Sequence, residues 1–209
     1  MTALRLVVAT RNPGKAREFG RLLGEGFVVE ALSASVTLPE ETGQTFAENA
    51  LLKARAAAAA LGGRVAVLAD DSGVAVAALG GLPGVRSARF AGEGANDQAN
   101  NRKLLAALAG SSDRSARYVC ALAVVLPGEE VVTAEGELTG SIVLEPRGAG
   151  GFGYDPLFRP DGWDMTLAEA DGAQKDAVSH RARAVAAVRR GLGDQAGRRG
   201  KPGDEGHAR

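Results

Sequence analysis

Three short β-branched runs near the N-terminus alternate with helix-forming segments, and this alternation limits the architecture more than any other feature. The runs are residues 5–9, 27–32 and 64–69. Between the first two, residues 16–23 space Phe19, Leu22 and Leu23 for one helix face. Between the second and third, Thr45-Phe46-Ala47-Glu48 is a capping-box pattern, in which hydroxyl and carboxylate each satisfy a free backbone N–H. It opens an Ala- and Leu-rich helix expected to reach about Leu61, where Gly62-Gly63 stops it. Strand, helix, strand, helix, strand predicts an α/β sheet.

Further along, residues 80–84 read as a rigid turn and 97–108 as a helix with Leu104, Leu105 and Leu108 on one side. The period then changes. Residues 117–126, Pro127-Gly128 and 130–138 predict a hairpin, followed by a separate strand over 141–144. Residues 148–156 form a Gly-rich loop, and 179–191 a helix with Ser179 as its N-cap. The stretch 194–209 is rich in Gly, Arg and Pro without periodicity and is expected to be disordered.

Composition narrows the function classes. Lys+Arg and Asp+Glu each total 25, so the chain lacks the excess positive charge of a nucleic-acid coat or a polybasic membrane binder. A single Cys excludes an intrachain disulfide and a paired-Cys zinc site, and two His leave few His-based metal sites. The apolar stretch 4–9 is broken by Arg5, too short for a signal-peptide core, and no apolar run approaches the ~18 residues of a membrane helix. The expectation is a cytoplasmic protein with neither nucleic-acid nor membrane partners.

Five groups of residues could carry chemistry. Thr10-Arg11-Asn12-Pro13-Gly14-Lys15 lies between a strand and a helix, where backbone N–H groups at a helix N-terminus suit a phosphate and Lys15 adds charge. It also reads as an ordinary polar turn, and it is not a Walker A loop. Glu40 and Glu41 sit in a loop, while Asp70-Asp71 are read as ending a strand, with side chains on opposite faces. Few carboxylates without a His cluster suit magnesium, which takes one or two carboxylates, waters and phosphate oxygens; a solvated turn is the alternative. Asn49 and Lys53 stand one helical turn apart, and Lys53 is read either as a polyphosphate contact or as a solvated helix residue.

Gly148-Ala149-Gly150-Gly151-Phe152-Gly153 matches a dinucleotide fingerprint by spacing, but Pro156 disfavours a helical Asp155, so the required helix cannot open. The loop presents Phe152 and Tyr154 either for stacking on a planar base or as a plug into the core. Lys175 and Ser179-His180-Arg181 gather at the entry to the last helix, where Arg181, which only donates hydrogen bonds, would favour a carbonyl oxygen on a base over an amino group. Cys120, inside a strand, is expected to be buried packing.

Taken in order, ATRNPGK at 9–15, LPEETGQTFAENALLKA at 38–54, ADDSG at 69–73, LGGLPGVRSARFAG at 79–92, GGFGYDPLF at 150–158 and SHR at 179–181 resemble the house-cleaning inosine/xanthosine triphosphate pyrophosphatases. The resemblance spans about residues 4–192. It implies a mixed twisted sheet flanked by helices, two lobes about a nucleotide-binding cleft, a domain over 1–192 with a tail at 193–209, and a homodimer. It implies magnesium-dependent water attack at the α-phosphorus of ITP, dITP or XTP, releasing the nucleoside monophosphate and pyrophosphate. By the same resemblance, Thr10, Arg11, Asn12, Pro13, Gly14 and Lys15 hold the triphosphate with Lys53 beside them. Glu40 and Asp71 are the metal acids, Asp71 is also the catalytic base, and Ser72 touches substrate. Phe152, Gly153, Tyr154 and Asp155 form the base-and-sugar wall, and Lys175, His180 and Arg181 read the base edge. A related pyrophosphatase for pyrimidine triphosphates is the rival, against which the Phe152 loop and the SHR block argue.

Overall fold

The computed structural model describes residues 3–10 and 12–199. Six strands form one mixed sheet: β1 (Leu4–Val8), β2 (Phe27–Ala31), β3 (Ala66–Val76), β4 (Ser115–Val125), β5 (Val131–Ile142) and β6 (Phe158–Pro160), in the order β2-β1-β3-β4-β5-β6. β1 runs parallel to β2 and β3, and the pairings from β3 to β6 are antiparallel. The parallel half requires crossover helices, supplied by α1 (Pro13–Leu23) and α2 (Phe46–Ala60). α3 (Asp97–Ala107), α4 (Gly172–Val178) and α5 (His180–Arg199) complete the chain.

Strand alternation distributes the core. Leu6, Val8, Leu68, Leu122 and Val124 face Phe19 and Leu23 of α1 and Val185 and Val188 of α5. The opposite register, Val7, Val67, Ala69, Ala121 and Ala123, meets Ala50, Ala54 and Ala57 of α2. Small residues on both sides of that second interface let α2 approach the sheet closely. A third cluster joins Val74 and Val76 to α3, Tyr154, Leu157 and Phe158 at the far end of the long strands. Each fully buried Leu or Phe contributes roughly 1.5–3 kcal/mol.

Four expectations change. Asp70-Asp71 do not end a strand: β3 continues to Val76, pairing Asp70 with Leu122 and Asp71 with Ala121, because each carboxylate finds partners on its own face. The separate strand at 141–144 is instead the end of β5, which runs unbroken to Ile142. β6 and α4 emerge where no element was expected, β6 being a three-residue edge strand closed by Pro160. α5 runs through Arg199, past both its expected end at Gly191 and the expected start of the disordered tail. At Gly191 α5 lies so near β5 that a Cβ would come within 2.7 Å of Val132, so this glycine serves close packing and does not stop the helix. The remainder of the expected tail, 200–209, and Arg11 lie outside the described residues.

Candidate active site

The site begins with strand parity. Asp70 is 2% exposed and faces α1 and α5, where Lys15 Nζ donates to it at 2.8 Å and Ser72 Oγ at 3.0 Å, with Arg181 Nε 4.0 Å away. Burial opposes its ionisation, but Lys15, Arg181 and Lys53 outweigh that cost and hold the carboxyl well below its usual range. Asp71, 6% exposed, faces α2, accepting from Asn49 Nδ2 at 3.0 Å, with Lys53 Nζ 3.6 Å away. Here burial dominates, and the Glu41 and Asp70 charges add to it, so Asp71 is pushed up to about 6 despite Lys53.

Asn49 and Lys53 therefore share a face, as their one-turn spacing requires, but Lys53 is not a solvated helix residue. It is buried, and although burial works against its charge, Asp71, Asp70 and Glu41 raise its affinity for the proton. Lys53 Nζ donates to Glu41 at 2.5 Å. Arg89, on the 3-10 helix Gly84–Arg89, donates to the Glu41 carbonyl oxygen. Glu41, not Glu40, is thus the glutamate joined to Lys53 and, through it, to Asp71. Glu40 is more exposed, although it lines a cavity together with Glu41 and Lys53. The sequence signal for Glu41 was its adjacency to Glu40 alone.

Two cavities adjoin at Asn12 and Lys15. One, about 360 Å³, is lined by Thr10, Glu40, Glu41, Lys53, Asp70 and Arg89 as well, and is strongly charged. The other, about 200 Å³, carries Ser72, Tyr118, Phe152, Gly153, His180 and Arg181 among its walls. Within the turn, Asn12 is the N-cap of α1: its Oδ1 accepts from the N–H groups of Gly14 and Lys15, and Pro13 has no N–H to give. Two donors expected to be open to phosphate are thus engaged by Asn12. Thr10 Oγ1 accepts from the Asn12 N–H.

The second cavity is built around Phe152, which is 37% exposed. Lys175 Nζ lies 4.7 Å and Arg181 Cζ 5.0 Å from its ring centroid. Arg181 is buried and paired with Glu18 at 3.3 Å, a residue that sequence reasoning missed because it precedes Arg181 by 163 positions. His180 is 2% exposed and stacked on Tyr118 at 4.6 Å, and neither ring nitrogen has a hydrogen-bond partner among the described residues. Burial and the nearby Arg181 and Lys175 charges drive its pKa well below the ordinary range, so the ring is neutral.

Tyr154 and Asp155 line this cavity but act chiefly as anchors. Tyr154 is 4% exposed, its hydroxyl donating to Ser87 O at 2.8 Å. Asp155 accepts from Lys175 at 2.6 Å, from the Phe152 N–H at 2.9 Å and from the Tyr118 hydroxyl at 3.3 Å. Cys120 is fully buried, and its thiol is pushed up to about 12 by burial, which leaves it inert as a nucleophile.

Among the described residues, no group of three or more His, Cys, Asp or Glu converges as a self-sufficient metal cage. The donors at hand are hard carboxylate oxygens, so a cation here must complete its shell with water and phosphate, the habit of magnesium.

A sequence model of the Ham1 family matches residues 6–190. The dITP/XTP pyrophosphatase of Bacillus licheniformis is 50% identical over 185 residues, covering 86% of this chain and 93% of that protein. The dITP/XTP pyrophosphatase of Gloeobacter violaceus is 52% identical over 181 residues, covering 86% and 90%. Among solved structures, the HAM1 protein of Coxiella burnetii aligns with a TM-score of 0.83 at 41% identity, over 91% of this chain and 99% of that one. The match across most of the length, joined to these identities over the same fold, means that the chain belongs to the Ham1 family.

Proposed function

We propose that this chain is a nucleoside-triphosphate pyrophosphatase that clears non-standard purine nucleotides such as ITP, dITP and XTP. The carrying observation is the junction, at Asn12 and Lys15, of an aromatic cavity with one that sets the cations Lys15, Lys53 and Arg89 beside the carboxylates Glu40, Glu41 and Asp70. A ligand suited to both has a planar head and an anionic tail accompanied by a divalent cation, the basic side chains answering the anion and the carboxylates the cation. The relatives' printed activity, dITP/XTP pyrophosphatase, has the same two-part substrate.

In this reading Lys15 and Lys53 hold the phosphates, with Asn12, Thr10 and the surrounding turn shaping the approach. Ser72, on the face it shares with Asp70, contacts the substrate near the join of the cavities. Phe152 stacks on the base, with Gly153, Tyr154 and Asp155 fixing its wall. Lys175, His180 and Arg181 lie along the base edge. Arg181 presents only donors; a 6-keto oxygen answers them and a 6-amino group does not, at about 1–3 kcal/mol for each buried group left unpaired.

Asp71 is the base. Burial raises the proton affinity of this carboxylate in the free chain, and Asn49 and Lys53 hold it in place to take a proton from water. The water oxygen bonds to the α-phosphorus, its proton passes to Asp71, and the α–β bridging oxygen leaves with pyrophosphate. Asp71 and Glu40 would hold magnesium, with Glu41 kept on Lys53. When bound, it neutralises charge on the phosphate oxygens. The remainder of the catalysis is positioning and electrostatics.

No helix among the described residues is long and apolar enough to cross a membrane; a cytoplasmic homodimer completes the proposal, and sedimentation tests the second copy. The deciding experiment is pyrophosphate release across ITP, dITP, XTP, ATP, GTP and pyrimidine triphosphates, with and without magnesium. Magnesium-dependent release confined mainly to ITP, dITP and XTP is expected. Equal rates on ATP, or a preference for pyrimidines, would overturn the assignment.

A further inference from the structure

The loop carrying Phe152 is fastened from a second side by an element to which the function above gives no role. At the start of α3, Asp97 Oδ2 accepts from the Gly153 N–H at 2.6 Å. One turn on, Asn101 Nδ2 donates to the Gly153 carbonyl oxygen at 3.1 Å. Both polar groups of one peptide residue are thus held by one helix face, across sequence separations of 56 and 52. Asn101 is 8% exposed, and its Oδ1 has no hydrogen-bond partner among the described residues, so its amide makes this single contact. Asp97 is exposed and borders the aromatic cavity.

Gly153 has φ +64°, and its neighbour Gly151 has φ +71°, backbone states that most side chains resist. A loop built on such residues has little stiffness of its own. On the other side, Asp155 takes the Phe152 N–H. Phe152, partly exposed with two cations near its ring, therefore depends on anchors before and behind it for its ring angle.

We infer that Asp97 and Asn101 are positioning residues: α3 sets the stacking plane of Phe152 and thereby the selectivity for the base, without touching the phosphate chemistry. The inference rests on the nucleotide reading of this cavity. It assigns α3 a specificity role that operates through the Gly153 peptide.

The experiment compares Asp97→Ala, Asn101→Asp and Asp97→Asn in the full chain. Asp97→Ala removes the acceptor, and Asn101→Asp sets an oxygen against the Gly153 carbonyl. Each should raise KM for ITP about tenfold and reduce the preference for ITP over ATP, with kcat within about threefold of the parent. Asp97→Asn keeps an oxygen acceptor and should restore both KM and preference. Amide hydrogen exchange is read in parallel without nucleotide: 150–155 should exchange faster in Asp97→Ala and Asn101→Asp, while β3 and β4 stay protected. Unchanged KM and selectivity, or unchanged exchange at 150–155, would overturn the inference. If the parent releases pyrophosphate from no triphosphate, the functional reading falls by itself, and the exchange measurement still decides the clamp.

Discussion

Asp70 and Asp71 follow one another in sequence, share nearly complete burial and yet sit at opposite ends of the carboxylate range. Parity separates them: one meets Lys15 and Arg181, the other a low-polarity interface of alanines with Lys53 and Glu41 at its edge. Asp71→Asn should lower pyrophosphate release by about 10²–10⁴-fold, the usual weight of a general base, with ITP binding by calorimetry retained. His180 makes a second prediction, about stability. Its folded pKa lies well below the ordinary 6.5, so below about pH 6.5 the unfolded chain takes up a proton that the folded chain refuses. Stability from this residue is therefore present above pH 6.5 and lost on acidification, at about 1.4 kcal/mol per pH unit. His180→Gln should flatten that slope in urea unfolding between pH 6.5 and 5; an unchanged slope would mean that His180 is protonated in the fold.

At the scale of elements, α5 is held against β5 by direct backbone approach. A Cβ on Gly136 would overlap His180 O and Ala184 N, just where α5 presents His180 and Arg181 to the aromatic cavity. Gly136→Ala should destabilise the chain by about 1–3 kcal/mol, the cost of overpacking, and weaken nucleotide binding by moving those side chains. Gly172→Ala is the control: nothing lies within 4 Å of its Cβ position, so stability should hold or rise by about 0.4–1 kcal/mol. Urea midpoints for the pair separate crowding from a general intolerance of alanine. α2 shows the opposite device. Its alanine face lies flat on Ala69, Ala121 and Ala123, which brings Asn49 and Lys53 within reach of Asp71.

For the whole molecule, the site draws on both faces of the sheet at β3: Asp70 meets Lys15 of α1 and Arg181 of α5, while Asp71 meets Asn49 and Lys53 of α2. Lys15, Ser72, Tyr118 and Phe152 line the aromatic cavity together. Every side chain proposed for the chemistry or for the base belongs to residues 10–181. Deleting residues 200–209 should leave pyrophosphate release within about twofold of the parent, an effect below ~0.5 kcal/mol, since none of the proposed side chains belongs to that segment. A loss of tenfold or more would make that segment part of the machinery.

Local chemistry wrote much of this into the chain. The Thr45–Glu48 box marks the start of α2 at a fixed spacing, and the β-branched runs near 5–9, 27–32 and 64–69 mark β1, β2 and the start of β3. Opposite facing of Asp70 and Asp71 follows from strand geometry alone. What only the tertiary structure decided are relations between distant segments: the continuation of β3 through two carboxylates, the pairing of Arg181 with Glu18, the choice of Glu41 over Glu40 as the partner of Lys53, and the grip of α3 on Gly153. The reason is physical. A capping box or a strand period is an interaction over a few residues and leaves a mark at fixed spacing. Neutralising a buried charge needs a partner of opposite sign brought near by folding, and the distance along the chain to that partner carries no signature.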